Sequence, residues 1–306
     1  MSQLCPKCGY KSAADIECLR CGIVFEKFKL SAYNSVVPIS DTEIDEVVIE
    51  EPKNNIFNNY KLNIYALPAG LMISFMIQKL WVFQYLVFLF CVIPLHELGH
   101  AFTAWMTGHI AVPIGAIVPT AGMTIIGQDR HIWVNIVFIS IFGYLIFKSW
   151  AQRLLYFCAL GTVFILVSLY LCLSLTNQQI NTLISFGGIA GEFLLSTVLI
   201  LSFYQPSFKK LRWDFFRFPF FIMGCMAFVN ACSMWIRIKN KLDSLPFGSA
   251  ISTDGAGDSN GDMNRLITAG WSEELIVSRY LILGKIAATL IIIQYIYYYV
   301  TAKTKE

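Results

Sequence analysis

Charge is what this sequence has least of. Only 14% of its 306 residues are charged and 56% are hydrophobic, against about 25% and 45–50% in a soluble domain. A chain so poor in polar surface is read as an integral membrane protein, with the apolar residues concentrated from about residue 63 onward. No sign of charge dominates either. A net charge of +3 offers no basic surface for nucleic acid, so none is expected as a partner. The first residues lack a basic segment followed by an apolar run, so no cleaved signal peptide is expected. Nor is there a disulfide framework. Five of the nine cysteines (Cys91, Cys158, Cys172, Cys225, Cys232) are scattered through apolar runs, where cysteine behaves as a small hydrophobe.

The other four cysteines lie together in residues 1–27, as Cys5-Pro-Lys-Cys8-Gly and Cys18-Leu-Arg-Cys21-Gly. Glycine after each pair lets the backbone turn its amides toward the sulfurs. Two such knuckles supply four thiolates, the set for a closed tetrahedral zinc site. The nine residues between them are enough for one short hairpin. This stretch resembles a small zinc ribbon. A redox pair is the competing reading, but paired knuckles are more specific than one Cys-x-x-Cys.

Residues 28–62 carry Asp41, Glu43, Asp45, Glu46, Glu50 and Glu51 with little apolar surface, and read as an extended acidic linker with a short strand at "EVVIEE". Hydrophobic segments follow near 63–78, 81–107, 131–148, 154–176, 181–204, 215–236 and 274–300. A span needs about 20 residues, so the first and third are short and read as re-entrant or tilted. The fold class expected is an all-α polytopic membrane protein of six or seven hydrophobic segments over 63–306, with the ribbon in front.

Four spans separate the second segment's end from the polar insertion at 237–273, so both lie on one side. Lys148, Arg153, Lys209, Lys210, Arg212, Lys303 and Lys305 share the other face, which should be cytoplasmic. Seven crossings would separate the ribbon from that face. Six, with 63–78 not crossing, leave both in the cytoplasm.

Inside the second segment, "CVIPLHELGHAF" at 91–102 places His96, Glu97 and His100 where ionisable groups are expensive. Histidines four apart lie on one helix face and can reach one metal ion, with Glu97 placed to take a proton from a metal-bound water. A helix-end cluster satisfied by water and backbone is the plainer alternative. Pro94 removes a helical hydrogen bond one turn back, which can open the backbone near the site.

These residues resemble the site-2-protease-like intramembrane zinc metalloproteases. The resemblance rests on "PLHELGHAFTAWMTGH" at 94–109 and the loop "AVPIGAIVPTAGMTIIG" at 111–127. It extends more loosely to "GGIAGE" at 187–192 and "GDMNRLITAGW" at 261–271. It implies His96 and His100 as zinc ligands, Glu97 as catalytic base, and a third, acidic ligand from a later segment. The family's usual Leu-Asp-Gly near an Asn-Pro pair is absent. Asp254, Asp258 and Asp262 are the candidates, and Asp262 is favoured because it opens a helix start like that of divergent members. Aspartates also cap helices and fill glycine turns, and "DSNGD" lacks the full ligand spacing of a calcium loop. Glu192 is the second choice. It and Asn230 are cleft residues on one reading and interhelical hydrogen-bonding groups on the other. Gly187 and Gly191 have the spacing that lets two helices approach closely. His109 and His131 fall at span edges and are not expected as ligands.

The function expected is a membrane-embedded zinc endopeptidase cutting membrane-associated or transmembrane proteins. It would hold one catalytic and one structural zinc, in a bacterial inner membrane with the ribbon in the cytoplasm. The 111–127 loop offers an extended edge for an unwound substrate, and the ribbon a surface for a protein partner. The alternative is a membrane-anchored zinc-ribbon adaptor with a degenerate metal core. The two part on whether an acid reaches the His96/His100 pair.

Overall fold

Backbone polar groups in lipid must be satisfied within the chain, so long apolar runs become helices. The computed structural model describes residues 3–4, 11–12, 60–118, 121–151, 154–204, 217–247 and 261–303. It divides into two units, Met1–Lys53 and Asn54–Glu306. In the first, β1 (Gln3–Leu4) pairs antiparallel with β2 (Lys11–Ser12), Gln3 opposite Ser12. The ladder brackets the first knuckle rather than the gap between the two. Cys5, Cys8, Cys18 and Cys21 lie outside the described residues, as do "EVVIEE", Asp254 and Asp258.

The second unit is mostly helical. Its elements are α1 (Tyr60–Ile77), α2 (Trp81–Met106), α3 (Ile132–Ala151), α4 (Leu155–Ser174), α5 (Asn177–Phe203), α6 (Arg217–Lys239), α7 (Asp262–Thr268) and α8 (Glu273–Lys303). Six of them (α2 to α6, and α8) are long and apolar enough to cross a membrane. The third hydrophobic segment, short by sequence, is a full 20-residue helix because it continues through Ser149 to Ala151.

The first segment, α1, is the exception. Its Asn63 bonds Tyr298 near the end of α8 and Arg217 at the start of α6. Beyond its other end, Gln78 donates to the carbonyl of Met226, about halfway along α6. The helix therefore rises only to the middle of its neighbour. Pro68 inside it has no N–H for the Ile64 carbonyl, and the Tyr295 hydroxyl donates to that carbonyl instead, at 3.1 Å.

The all-α expectation needs one correction. Between α2 and α3 the chain forms β3 (His109–Val118) and β4 (Ala121–Arg130), an antiparallel ladder with register shifts after His109, Pro113 and Ala116. Its Val, Ile and Thr content suits a half-buried strand. Ala111 and Ile126 turn inward against Ala101 and Ala104 of α2 and Ile180 and Ile184 of α5, while Val112, Ile114 and Ile125 face outward. The α2–β3 junction is fixed by Gly108 at φ +85°, where a side chain would strike Asn135. Asn135 and Ser168 both donate to the Met106 carbonyl at the helix end.

Helix α5 is the centre of the unit. Of its apolar window 67% is buried, against 17% for α4, which therefore faces lipid. Gly99 of α2 meets Gly187 and Gly191 of α5 so closely that a Cβ on any of the three would collide with the other helix. Small residues of this kind let helices approach where lipid gives no hydrophobic drive. On the other side of α5, Phe193 and Ile200 join Phe221 and Trp235 of α6, Met263 and Leu266 of α7 and Tyr280 of α8 in one core.

Candidate metal centre

His96 and His100 are one turn apart on α2 and turn toward α5. Their rings stand edge to face, with centroids 4.8 Å apart. The space between them and α5 exists because residue 188 is glycine: a Cβ there would lie 2.6 Å from His96 Nε2 and 2.5 Å from His100 Nε2. Asp262 joins them as the first residue of α7, after Gly261. Met263 and Leu266, both almost wholly buried, hold that helix in the core.

Three donor atoms converge. His96 Nε2 and His100 Nε2 are 3.1 Å apart, and Asp262 Oδ2 lies 3.1 Å from the first and 3.0 Å from the second. The opposite ring nitrogens set what these atoms can do. His100 Nδ1 is 2.7 Å from the Ile184 carbonyl, and His96 Nδ1 is 2.8 Å from Glu192 Oε1. Both partners are acceptors, so each Nδ1 carries the proton and each neutral ring presents a lone pair at Nε2. Two lone pairs and a carboxylate oxygen then face one another at about 3 Å, which repels unless a cation or added protons stand between them. A tetrahedral zinc with ligands at roughly 2.0–2.2 Å has edges of about 3.3–3.6 Å, so a few tenths of an ångström of side-chain movement would admit one ion. Two imidazoles and one carboxylate, with room left at Gly188, fit a three-ligand catalytic site. Among the described residues this is the one group of metal-ligating side chains so arranged.

Glu97 faces β4 and is buried. The Thr124 hydroxyl sits 2.6 Å from Glu97 Oε2 and 3.0 Å from the Glu97 carbonyl, and its single proton serves one at a time. Gly122 leaves room for the carboxylate, since a Cβ there would lie 2.5 Å from Glu97 Oε1.

Glu192 is not a fourth arm of the triangle. Its Oε1 accepts the hydrogen bond from His96 Nδ1, and its Oε2 is buried with no hydrogen-bond partner. It therefore acts on the site through His96. Asn230, half-buried on α6, joins none of these contacts. His109 is buried beside Thr107, 3.1 Å from its hydroxyl, and His131 follows β4; neither belongs to the triangle. Sequence alone does not single out Gly188, Thr124 or the Ile184 carbonyl. Gly188 stands inside the quoted "GGIAGE", one turn before Glu192, which is the signal that could have found it. For Thr124 and Ile184 only the tertiary pairing reveals the contact.

Comparison with protein-family models, with curated proteins and with solved structures gives no match to this chain.

Proposed function

We propose that this chain is a membrane-embedded zinc endopeptidase of the site-2-protease-like kind, cutting membrane-associated or transmembrane proteins. The observation that supports it best is the acid at the histidine pair: Asp262 Oδ2 lies within about 3 Å of both Nε2 atoms. That acid is what separates a hydrolase from an adaptor with a degenerate core. His96, His100 and Asp262 would hold the ion, which supplies Lewis acidity and lowers the pKa of a bound water to about 7. Glu192 is engaged with His96 Nδ1, so the base is Glu97, next to the first ligand in the chain.

Glu97 takes the proton of the attacking water and returns it to the leaving amine. Thr124 restrains its carboxylate, and Glu192 and the Ile184 carbonyl fix the ring tautomers. Helices α2, α5 and α8 screen these polar groups from lipid. We further propose that Cys5, Cys8, Cys18 and Cys21 hold a second, structural zinc and that the ribbon docks a protein partner. The lysine-rich face, on which the chain enters α1, is the cytoplasmic one.

Purified full-length protein in detergent, assayed for zinc content and for cleavage of a transmembrane peptide, tests the reading. Glu97→Gln should keep core zinc and lose cleavage, whereas His96→Ala should lose both. Full activity in Glu97→Gln would rule the mechanism out.

A further inference from the structure

A cleft of about 730 Å³ opens on the same side of the molecule as the α2–β3 junction and α7. Asn177, Gln178 and Asn181 of α5 line it on one side, and Gln128 of β4 with Arg265 and Thr268 of α7 on the others. It leads toward the histidines along two helices. On α5 it reaches Ile184, whose carbonyl accepts from His100 and which lies one turn before Gly188. On α7 Arg265 follows Asp262 by three residues, so the two share a helix face.

The lining suits a particular occupant. Each carboxamide carries both a donor and an acceptor, though the Asn177 oxygen already accepts from Arg130. These match the N–H and C=O groups that a helical substrate frees when it unwinds, and that cost free energy if left unpaired. Among the described residues no carboxylate lines the cleft, and Arg265 brings its one fixed charge.

We infer that this cleft holds the polar flank of an extended substrate, and that Arg265 selects an acidic side chain in it. The inference rests on the endopeptidase reading. Arg265 stands about 4.5 Å along α7 from Asp262, and its arm adds several ångströms. With about 3.3 Å per extended residue, the selected position is roughly two to four residues from the bond that is cut.

The test uses full-length, zinc-loaded protein in detergent and fluorescent peptides identical except for Asp, Ala or Lys at each position around a central site. Binding is measured on Glu97→Gln, which holds peptides without cutting them, and cleavage on the wild type in parallel. The Asp peptide should bind about tenfold more tightly than the Lys peptide at one position in that window. Adding Arg265→Glu should reverse the order, and adding Arg265→Lys should keep it. An order unchanged by Arg265→Glu overturns the inference. If charge-dependent binding follows Arg265 while the wild type cuts nothing, the cleft stands and the endopeptidase reading fails. Cleavage with no charge preference at any position overturns the cleft alone.

Discussion

In the proposed metal site, Gly188 decides whether two imidazoles can share an ion. It gives the α5 face a hollow where any larger residue would press on both Nε2 atoms. Gly188→Ala should therefore weaken core zinc binding by at least about tenfold, an overpacking cost that falls on the ligands rather than on a helix contact. Zinc content and melting temperature, measured together, separate this from general unfolding, since the melting temperature should move much less than the zinc. Retention of full core zinc would show that the hollow is not where the ion sits. The two histidines and Glu97 were legible in the sequence because one helix carries all three at fixed spacing. Gly188, Thr124 and Ile184 were not, because each acts on a residue of another element, and one-dimensional spacing does not encode such contacts.

At the scale of elements, α7 is a short helix held to the bilayer-embedded core by two buried side chains, Met263 and Leu266. Leu266→Ala removes a side chain with no exposed surface, a change that typically costs about 2–5 kcal/mol. Here the loss should appear first as undocking of α7. Zinc affinity should fall with helical content nearly unchanged, as circular dichroism and metal titration would show. Unaltered affinity would mean that Asp262 is held by something else.

The α2–β3 junction makes a different prediction. Burial lowers the His109 pKa, and Arg130 and then His131 lower it further. A histidine with a depressed folded pKa contributes stability above its unfolded value near 6.5, and that contribution fades as pH falls below it. Wild type should thus lose melting temperature between about pH 7.5 and 5 more steeply than His109→Gln, which cannot titrate. Parallel slopes would remove His109 from the account. The helices were readable from their apolar runs, whereas the hairpin was not assigned as strands. Its residues 111–127 alternate too irregularly, with Pro113 and three register shifts, for a period of two to be seen.

For the whole molecule, the alternation of spans is the part that sequence carried furthest. Counting crossings puts the α6–α7 connection on the side where α2 ends, and Asp262 is found beside His96 there. What counting could not supply was the status of the first segment, since length alone does not show where a helix stops against its neighbours. With α1 rising only halfway, six crossings leave Tyr60 and Lys148 on one face. Lysine-rich connections favour the cytoplasm. A reporter fused after Trp150 should therefore read cytoplasmic and one fused after Leu242 extracytoplasmic. The reverse pattern would overturn the orientation.

The sequence separation of 166 positions from His96 to Asp262 also separates the two in time. A ribosome adds about 5–20 residues per second, so the histidines wait on the order of ten to thirty seconds for their carboxylate. During that interval the nascent chain holds two of the three proposed ligands. Its own later spans are made while that centre is still incomplete. On the proposed reading, the ligand set is complete only once the loop before α8 has been made.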